Sequence, residues 1–341
     1  MILLYYLASA VKPCIFYLLH MDQDETVKKI LVLLPVNNEH KSYLQRCLGD
    51  GARQYEFVFT NGAEPSEDQL NDASILLGCR IPDYVRKSGK LEWIQASASG
   101  VDNYLAPGVL PEGVSLSSAA GAYGTSVSEH MLALTLDLIK KMNQYSVNQK
   151  KRIWEDLGPI KAIEGSTVAV LGLGDIGSSY ARKMKALGAA VIGLRRTVGE
   201  KPGYIDELYS INELEAVLPR ADIVAMALPG GSKTRHIINE KNLKLMKKGA
   251  FIINAGRGNA IDPAALKSAL KEGTLGGAAL DVTEPEPLPE DDELWGFDNA
   301  IITPHVAGKL RIPQNLELIV QICGENLSRW IKGEPLRNQI I

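Results

Sequence analysis

Residues 168–197 read VAVLGLGDIGSSYARKMKALGAAVIGLRRT. An apolar run, a glycine-rich turn, a stretch of helical length and a second apolar run follow one another without a gap. Few arrangements satisfy that order. The apolar runs read as parallel strands, the stretch between them as the helix that joins them, and the glycines fall at the first strand-to-helix turn. Gly172 allows the tight turn, Gly174 lets the backbone approach a pyrophosphate, and Gly177 lets helix and strand pack closely. The helix N-terminus favours the negative charge, and Asp175 and Ile176 lie in the same loop. The unit therefore reads as a dinucleotide site; the alternative is a glycine-rich structural turn.

The second apolar run ends at Leu194, and Arg195 stands where an acidic residue would accept from ribose hydroxyls. An arginine cannot accept a hydrogen bond. Together with Arg196 and Thr197 it can donate to a 2′-phosphate. NADP(H) is thus the preferred cofactor, with NAD(H) possible if the two arginines are only solvated surface.

The rest of the chain repeats the strand–helix alternation. A length of 341 residues suggests two domains, since domains mostly run ~100–200 residues. KILVLLP, YEFVFT, ASILLG, LEWIQAS and VSLSS are strand candidates in the first half. TVAVLG, AAVIGL, DIVAMAL, AFIINAG, GAALDV and AIITPH are those of the second. Residues 126–143 read as one long helix capped by Ser126 or Ser128, and Gln314 to Ile331 as another. This is α/β architecture with two parallel sheets.

The net charge is −3 with no basic run or acidic tail, so neither nucleic acid nor a membrane surface is indicated as a partner. Cys14, Cys47, Cys79 and Cys323 lie far apart, resembling neither a disulfide framework nor a metal site. That fits a reducing compartment, the cytoplasm. Residues 1–20 are an apolar extension of doubtful status, broken by Lys12 and Pro13. They read as an upstream extension from a misassigned start, as an anchor or signal, or as an extra element. The unbroken runs are shorter than the ~20 residues of a membrane helix.

Three strand ends carry chemistry. Arg257 follows AFIINAG, Asp281 and Glu286 follow GAAL, and His305 follows IITP. In a doubly wound sheet, ligands bind outside the carboxyl ends of the strands. A cation, carboxylates and an imidazole thus reach the edge that also holds the glycine loop. Singly, each could be structural; jointly they read as catalytic. His130 on its helix reads as structural and His236 as surface. Arg80 and Tyr123 are candidate substrate contacts, with a solvated loop as the alternative.

These motifs, in this order, resemble the D-isomer-specific 2-hydroxyacid dehydrogenases, from about Lys28 to the end. The resemblance is carried by ASASGVDNY (96–104), GAYGTSVSEHMLAL (121–134), GLGDIG, LPGGSKTRHIIN (228–239), NAGRGNAID (254–262), LDVTEPEPL (280–288) and TPHVAG (303–308). It implies a discontinuous flavodoxin-like substrate domain, residues 21–125 and 306–341, and a Rossmann cofactor domain, residues 126–305. It implies a homodimer, with the segment NQKKRIW (148–154) in the contact. It matches His305 to the family's proton donor, Glu286 to its carboxylate partner, and Arg257 to the residue that binds the substrate carboxylate and carbonyl. Ser99, Gly100 and Val101 match the loop that holds the carboxylate from the other domain. Further cofactor contacts fall on Leu228, Pro229, Thr234, Ala255, Gly256, Asp281, His305 and Gly308, with Asp281 at the nicotinamide carboxamide. The implied reaction is hydride transfer between NAD(P)H and a small 2-keto or D-2-hydroxy acid. The arginine-rich ending of the second strand, and the lack of a further domain after residue 341, point to a glyoxylate/hydroxypyruvate-type reductase. An NAD-linked phosphoglycerate dehydrogenase-like enzyme and a corepressor-type dinucleotide-sensing scaffold are the alternatives.

Overall fold

The computed structural model describes residues 27–310 and 312–341. The apolar extension, residues 1–20, and Cys14 lie outside them. The first sheet contains β1 (Lys28–Val32), β2 (Tyr55–Phe59), β3 (Ala73–Cys79), β4 (Trp93–Ala96) and β5 (Ser115–Ser117), in the order β2-β1-β3-β4-β5. The second contains β6 (Thr167–Leu171), β7 (Ala190–Arg195), β8 (Glu207–Ser210), β9 (Ile223–Met226), β10 (Ala250–Asn254), β11 (Leu275–Leu280) and β12 (Ala300–Ile302), in the order β12-β11-β10-β9-β6-β7-β8. Every strand pair is parallel. Parallel neighbours need crossovers, and the helices that make most of them cover the sheet faces. Interior strands are consequently apolar at nearly every position: β3, ASILLGC, is buried throughout, as is β10, AFIIN.

The helices are α1 (Asn38–Cys47), α2 (Glu67–Asp72), α3 (Gly124–Ile139), α4 (Met142–Lys151), α5 (Asp175–Ala186), α6 (Leu214–Val217), α7 (Glu240–Leu245), α8 (Pro263–Lys271) and α9 (Pro313–Ile331). Local chemistry sets several of their starts. Asn37 accepts from the His40 N–H at the head of α1, and Asp262 caps α8 with Pro263 in the first turn. α3 carries the chain from the first sheet to the second, and α9 returns it to pack against α1. The last residues then pair with β5, Ile340 N donating to Leu116 O at 2.8 Å.

Two expectations need correction. The helix expected over 126–143 is two helices, because Lys141 adopts a left-handed conformation (φ 57°) between α3 and α4. Nor do Ser126 and Ser128 cap it. Tyr123 is the N-cap residue without a side-chain bond, and both hydroxyls donate backwards, to Tyr123 O and Thr125 O. The edge strand β8 lacks a sequence signal: ELYS is short, polar and half-buried, and among the described residues it pairs only with β7.

Candidate active site

The strand order of the second sheet reverses between β6 and β9, which opens the crevice where such sheets bind ligands. The loop after β6 lies there. Gly172 has φ +91°, and a Cβ on it would come 2.7 Å from Ala227 O. A Cβ on Gly177 would come 1.8 Å from Gly172 O, so both positions exclude a side chain. Gly174 differs: no described atom lies within 4 Å of its Cβ position. Gly174 is also the N-cap of α5, and no side chain caps that helix. A bare turn beside free helix N–H groups fits a pyrophosphate.

The neighbouring loops continue the groove. Arg195 ends β7; its Nη2 donates to Glu200 O at 3.2 Å, while its Nε is buried with no partner among the described residues. Arg196 and Thr197 stand exposed beside it. That unmatched donor fits an anionic group on the adenosine side. After β9, Leu228 is buried and Thr234 Oγ1 donates to Pro229 O at 2.8 Å, which closes the loop. Gly256, after β10, packs on the Leu228 backbone, where a Cβ would come 2.7 Å from its N and O.

The crevice opens into a cavity of about 570 Å³ between the two sheets. Ser99, Gly100, Arg80 and Tyr123 line it from one side; Ile176, Ala255, Arg257, Asp281, Glu286, His305 and Gly308 line it from the other. His305 Nδ1 lies 2.5 Å from Glu286 Oε1. The bond to His305 holds the Glu286 carboxyl below its usual range; partial burial works against that, and the positive charges of His305 and Arg257 add to it. His305 has φ +48°, and its backbone N–H donates to Asp281 O at 2.8 Å. Asp281 is buried, and its carboxylate accepts from Val306 N (2.9 Å), Ala307 N (3.1 Å) and Thr303 Oγ1 (2.6 Å). Thus Asp281 fixes the backbone that carries His305.

Arg257 donates from Nε to Asp102 Oδ2 at 2.8 Å and from Nη1 to Gly256 O at 2.9 Å. Val101 is buried just before Asp102 and does not line the cavity. Tyr123 is buried, its hydroxyl donating to Ser97 O beneath the Ser99–Val101 loop, whereas Arg80 is exposed at the cavity rim. His130, read as structural, has its Nε2 3.0 Å from Thr303 Oγ1 and 3.5 Å from Asp281 Oδ1. His236 is half-buried rather than surface, its Nε2 2.7 Å from Glu284 Oε2, because φ +47° turns it back towards that loop. Sequence reasoning missed Asp102, Thr303 and Asn315. Asn315, on α9, donates to Gly308 O, Lys309 O and Ser126 Oγ at 2.8–3.0 Å and so anchors the loop after His305. Asp102 and Thr303 lie inside the motifs ASASGVDNY and TPHVAG but were given no role there, and Asn315 stands in no motif that a local reading would mark.

Comparisons with known proteins show what the chain is similar to. The sequence model described as "D-isomer specific 2-hydroxyacid dehydrogenase, NAD binding domain" matches residues 132–307. A D-3-phosphoglycerate dehydrogenase from Methanocaldococcus jannaschii is 35% identical over 283 residues, 80% of this chain. The chain spans about half the length of that relative, 52%. The crystal structure of a D-isomer specific 2-hydroxyacid dehydrogenase family protein from Aeromonas salmonicida superposes with a TM-score of 0.80 at 31% identity, covering 93% of this chain and 99% of that one. An NADPH-dependent glyoxylate/hydroxypyruvate reductase from Sinorhizobium meliloti, in complex with NADP and sulfate, superposes with a TM-score of 0.74 at 27% identity, covering 92% and 98%. With half the chain matched by the family model and a solved member superposing over 93% of it, the chain belongs to the D-isomer specific 2-hydroxyacid dehydrogenase family.

Proposed function

We propose that this protein is an NADPH-preferring reductase of small 2-keto acids, of the glyoxylate/hydroxypyruvate type. The observation that carries the reading is the His305–Glu286 pair facing Arg257 and the Ser99–Gly100 loop in one cavity beside the glycine crevice. The nicotinamide, when bound, supplies the hydride that reduces the keto carbon. His305 delivers the proton that the carbonyl oxygen takes up, and Glu286 orients the imidazole through Nδ1, which leaves Nε2 for the substrate. Arg257 binds the substrate carboxylate and polarises the carbonyl with its planar fork. Backbone amides at Ser99 and Gly100, which line the cavity, hold the carboxylate from the other side. The glycine loop with Asp175 and Ile176 receives the pyrophosphate. Leu228, Pro229 and Thr234 flank the adenosine. Ala255, Gly256, Asp281 and Gly308 surround the nicotinamide end.

Arg195, with its buried unpartnered Nε, supports the 2′-phosphate reading, as does the NADPH-dependent reductase among the structural relatives. The domain division proposed is 21–125 with 306–341, and 126–305. A homodimer and cytoplasmic residence belong to the same proposal. α4 buries none of its residues, and Met142, Val147, Ile153, Trp154 and Ile160 are exposed in and after it, which supports a second copy on that face. Among the described residues no helix is long and apolar enough to cross a membrane.

The test is the initial rate with glyoxylate, hydroxypyruvate, pyruvate and a branched 2-keto acid, each with NADPH and NADH. Fast turnover with NADPH supports the reading. An NADH preference would sink the 2′-phosphate assignment and favour an NAD-linked enzyme. Cofactor binding with no turnover would favour a dinucleotide-sensing scaffold.

A further inference from the structure

Asp102 has no part in the scheme above, yet it makes a contact that links the two halves of the site. It follows the Ser99–Val101 loop on the first sheet; Arg257 follows β10 on the second. Asp102 Oδ2 accepts from Arg257 Nε at 2.8 Å. Each side chain enters a slot that a glycine of the other half leaves open. A Cβ on Gly100 would stand 1.5 Å from Arg257 Nη2, and a Cβ on Gly230 would stand 2.9 Å from Asp102 Oδ1. Neither glycine has a positive φ, so neither is required by backbone conformation. What both positions require is space, and the space is filled by the partners of one ion pair.

The consequence for Arg257 is geometric. A guanidinium offers five N–H donors in one plane. Asp102 takes the Nε edge and Gly256 O takes one donor of Nη1. Among the described residues Nη2 has no hydrogen-bond partner, and it stands against Gly100 in the loop proposed to hold the substrate carboxylate. We infer that Asp102 is a positioning residue, which sets the guanidinium plane of Arg257 from across the cleft and thereby its affinity for a 2-keto carboxylate. This rests on the carboxylate-binding role proposed for Arg257. The pair is only half-buried, its side chains 30% and 47% exposed, so its effect lies in orientation more than in net attraction.

The test uses Asp102→Asn, which keeps the shape but removes the charge, and Gly230→Ala, which fills the Asp102 slot and changes no charge. KM and kcat for glyoxylate are measured apart, NADPH affinity by its fluorescence, and affinity for oxamate by calorimetry on the NADPH-loaded protein. Each variant is expected to raise KM and weaken oxamate about tenfold, with a smaller change in kcat and none in NADPH affinity. The double variant is expected to be no worse than the worse single one, since both changes break one contact. Unchanged KM and oxamate affinity in Asp102→Asn would overturn the inference. So would a lower KM, which would make Asp102 an occupant of the carboxylate position that substrate has to displace. If the unsubstituted protein neither reduces a 2-keto acid nor binds oxamate, the enzymatic reading itself has failed. The contact is then read from unfolding midpoints: additive losses in the double variant overturn it, and non-additive losses leave it standing.

Discussion

His305 Nδ1 and Glu286 Oε1 are 2.5 Å apart, although one residue follows β12 and the other follows β11. The relationship fixes which imidazole nitrogen is spoken for: Nδ1 is occupied, and Nε2 is left for chemistry. It also accounts for the Glu286 carboxyl lying below its usual value. Replacing Glu286 by Gln keeps the volume and loses the charge. Because a positioned acid or base contributes typically ~10²–10⁴-fold, Glu286→Gln should lower kcat by about 10²-fold and change KM little. Steady-state kinetics check this, and a loss confined to KM would show that Glu286 binds substrate instead.

Arg195 makes the second prediction. Among the described residues its Nε is buried without a partner, and Nη2 is engaged only by Glu200 O. Hydrogen bonds to charged groups contribute ~1.5–3 kcal/mol, so Arg195→Ala should weaken NADPH by about 10- to 100-fold. NADH should bind unchanged, since it lacks the phosphate. Equal weakening of both cofactors would mean that the residue supports the loop and does not read the 2′ position.

Much of this site was legible in the sequence, for a physical reason. In a parallel sheet every strand points the same way, so residues just past strand ends share an edge. Arg257, Glu286 and His305 each follow an apolar run closely, and the edge could be read off without any contact. What stayed hidden needs coordinates. Asp102 and Arg257 are 155 residues apart and meet only across the cleft. Asn315 reaches the loop after His305 from a helix whose sequence shows only its apolar face. The break at Lys141 was hidden too, because lysine has good helix propensity and tertiary context overrode it. β8 lacked a signal because an edge strand, half-exposed, needs no apolar run.

The apolar surface of α4 and the loop after it yields a third prediction. Trp154 is fully exposed, with Met142, Val147, Ile153 and Ile160 also open to solvent. Buried interface aromatics cost ≥ ~2 kcal/mol when removed, a ~30-fold change in affinity. Sedimentation should show a dimer, and Trp154→Glu should shift it towards monomer at micromolar concentration. A variant that stays as dimeric as the original protein would place the contact elsewhere.

Asp222 makes the last prediction, a pH dependence of stability. It immediately precedes β9 and ties that strand to the head of β6 and to the turn before β10: Oδ2 accepts from Thr167 N at 2.9 Å, Oδ1 from Lys247 Nζ at 3.1 Å, and Lys161 lies 4.0 Å away. Burial alone would raise its carboxyl; the Thr167 N–H and the two ammonium groups more than offset that and hold it below its ordinary value of 3.8. The folded value is the lower one, so the stabilisation is fully present above the unfolded value and is lost as pH falls through the folded one. Asp222→Asn should therefore cost about 1–2 kcal/mol in urea unfolding at neutral pH. The difference between the two proteins should narrow once pH drops below ~3.9 and close as the native carboxyl protonates. A gap that persists unchanged in acid would show that Asp222 acts through its shape and not through its charge.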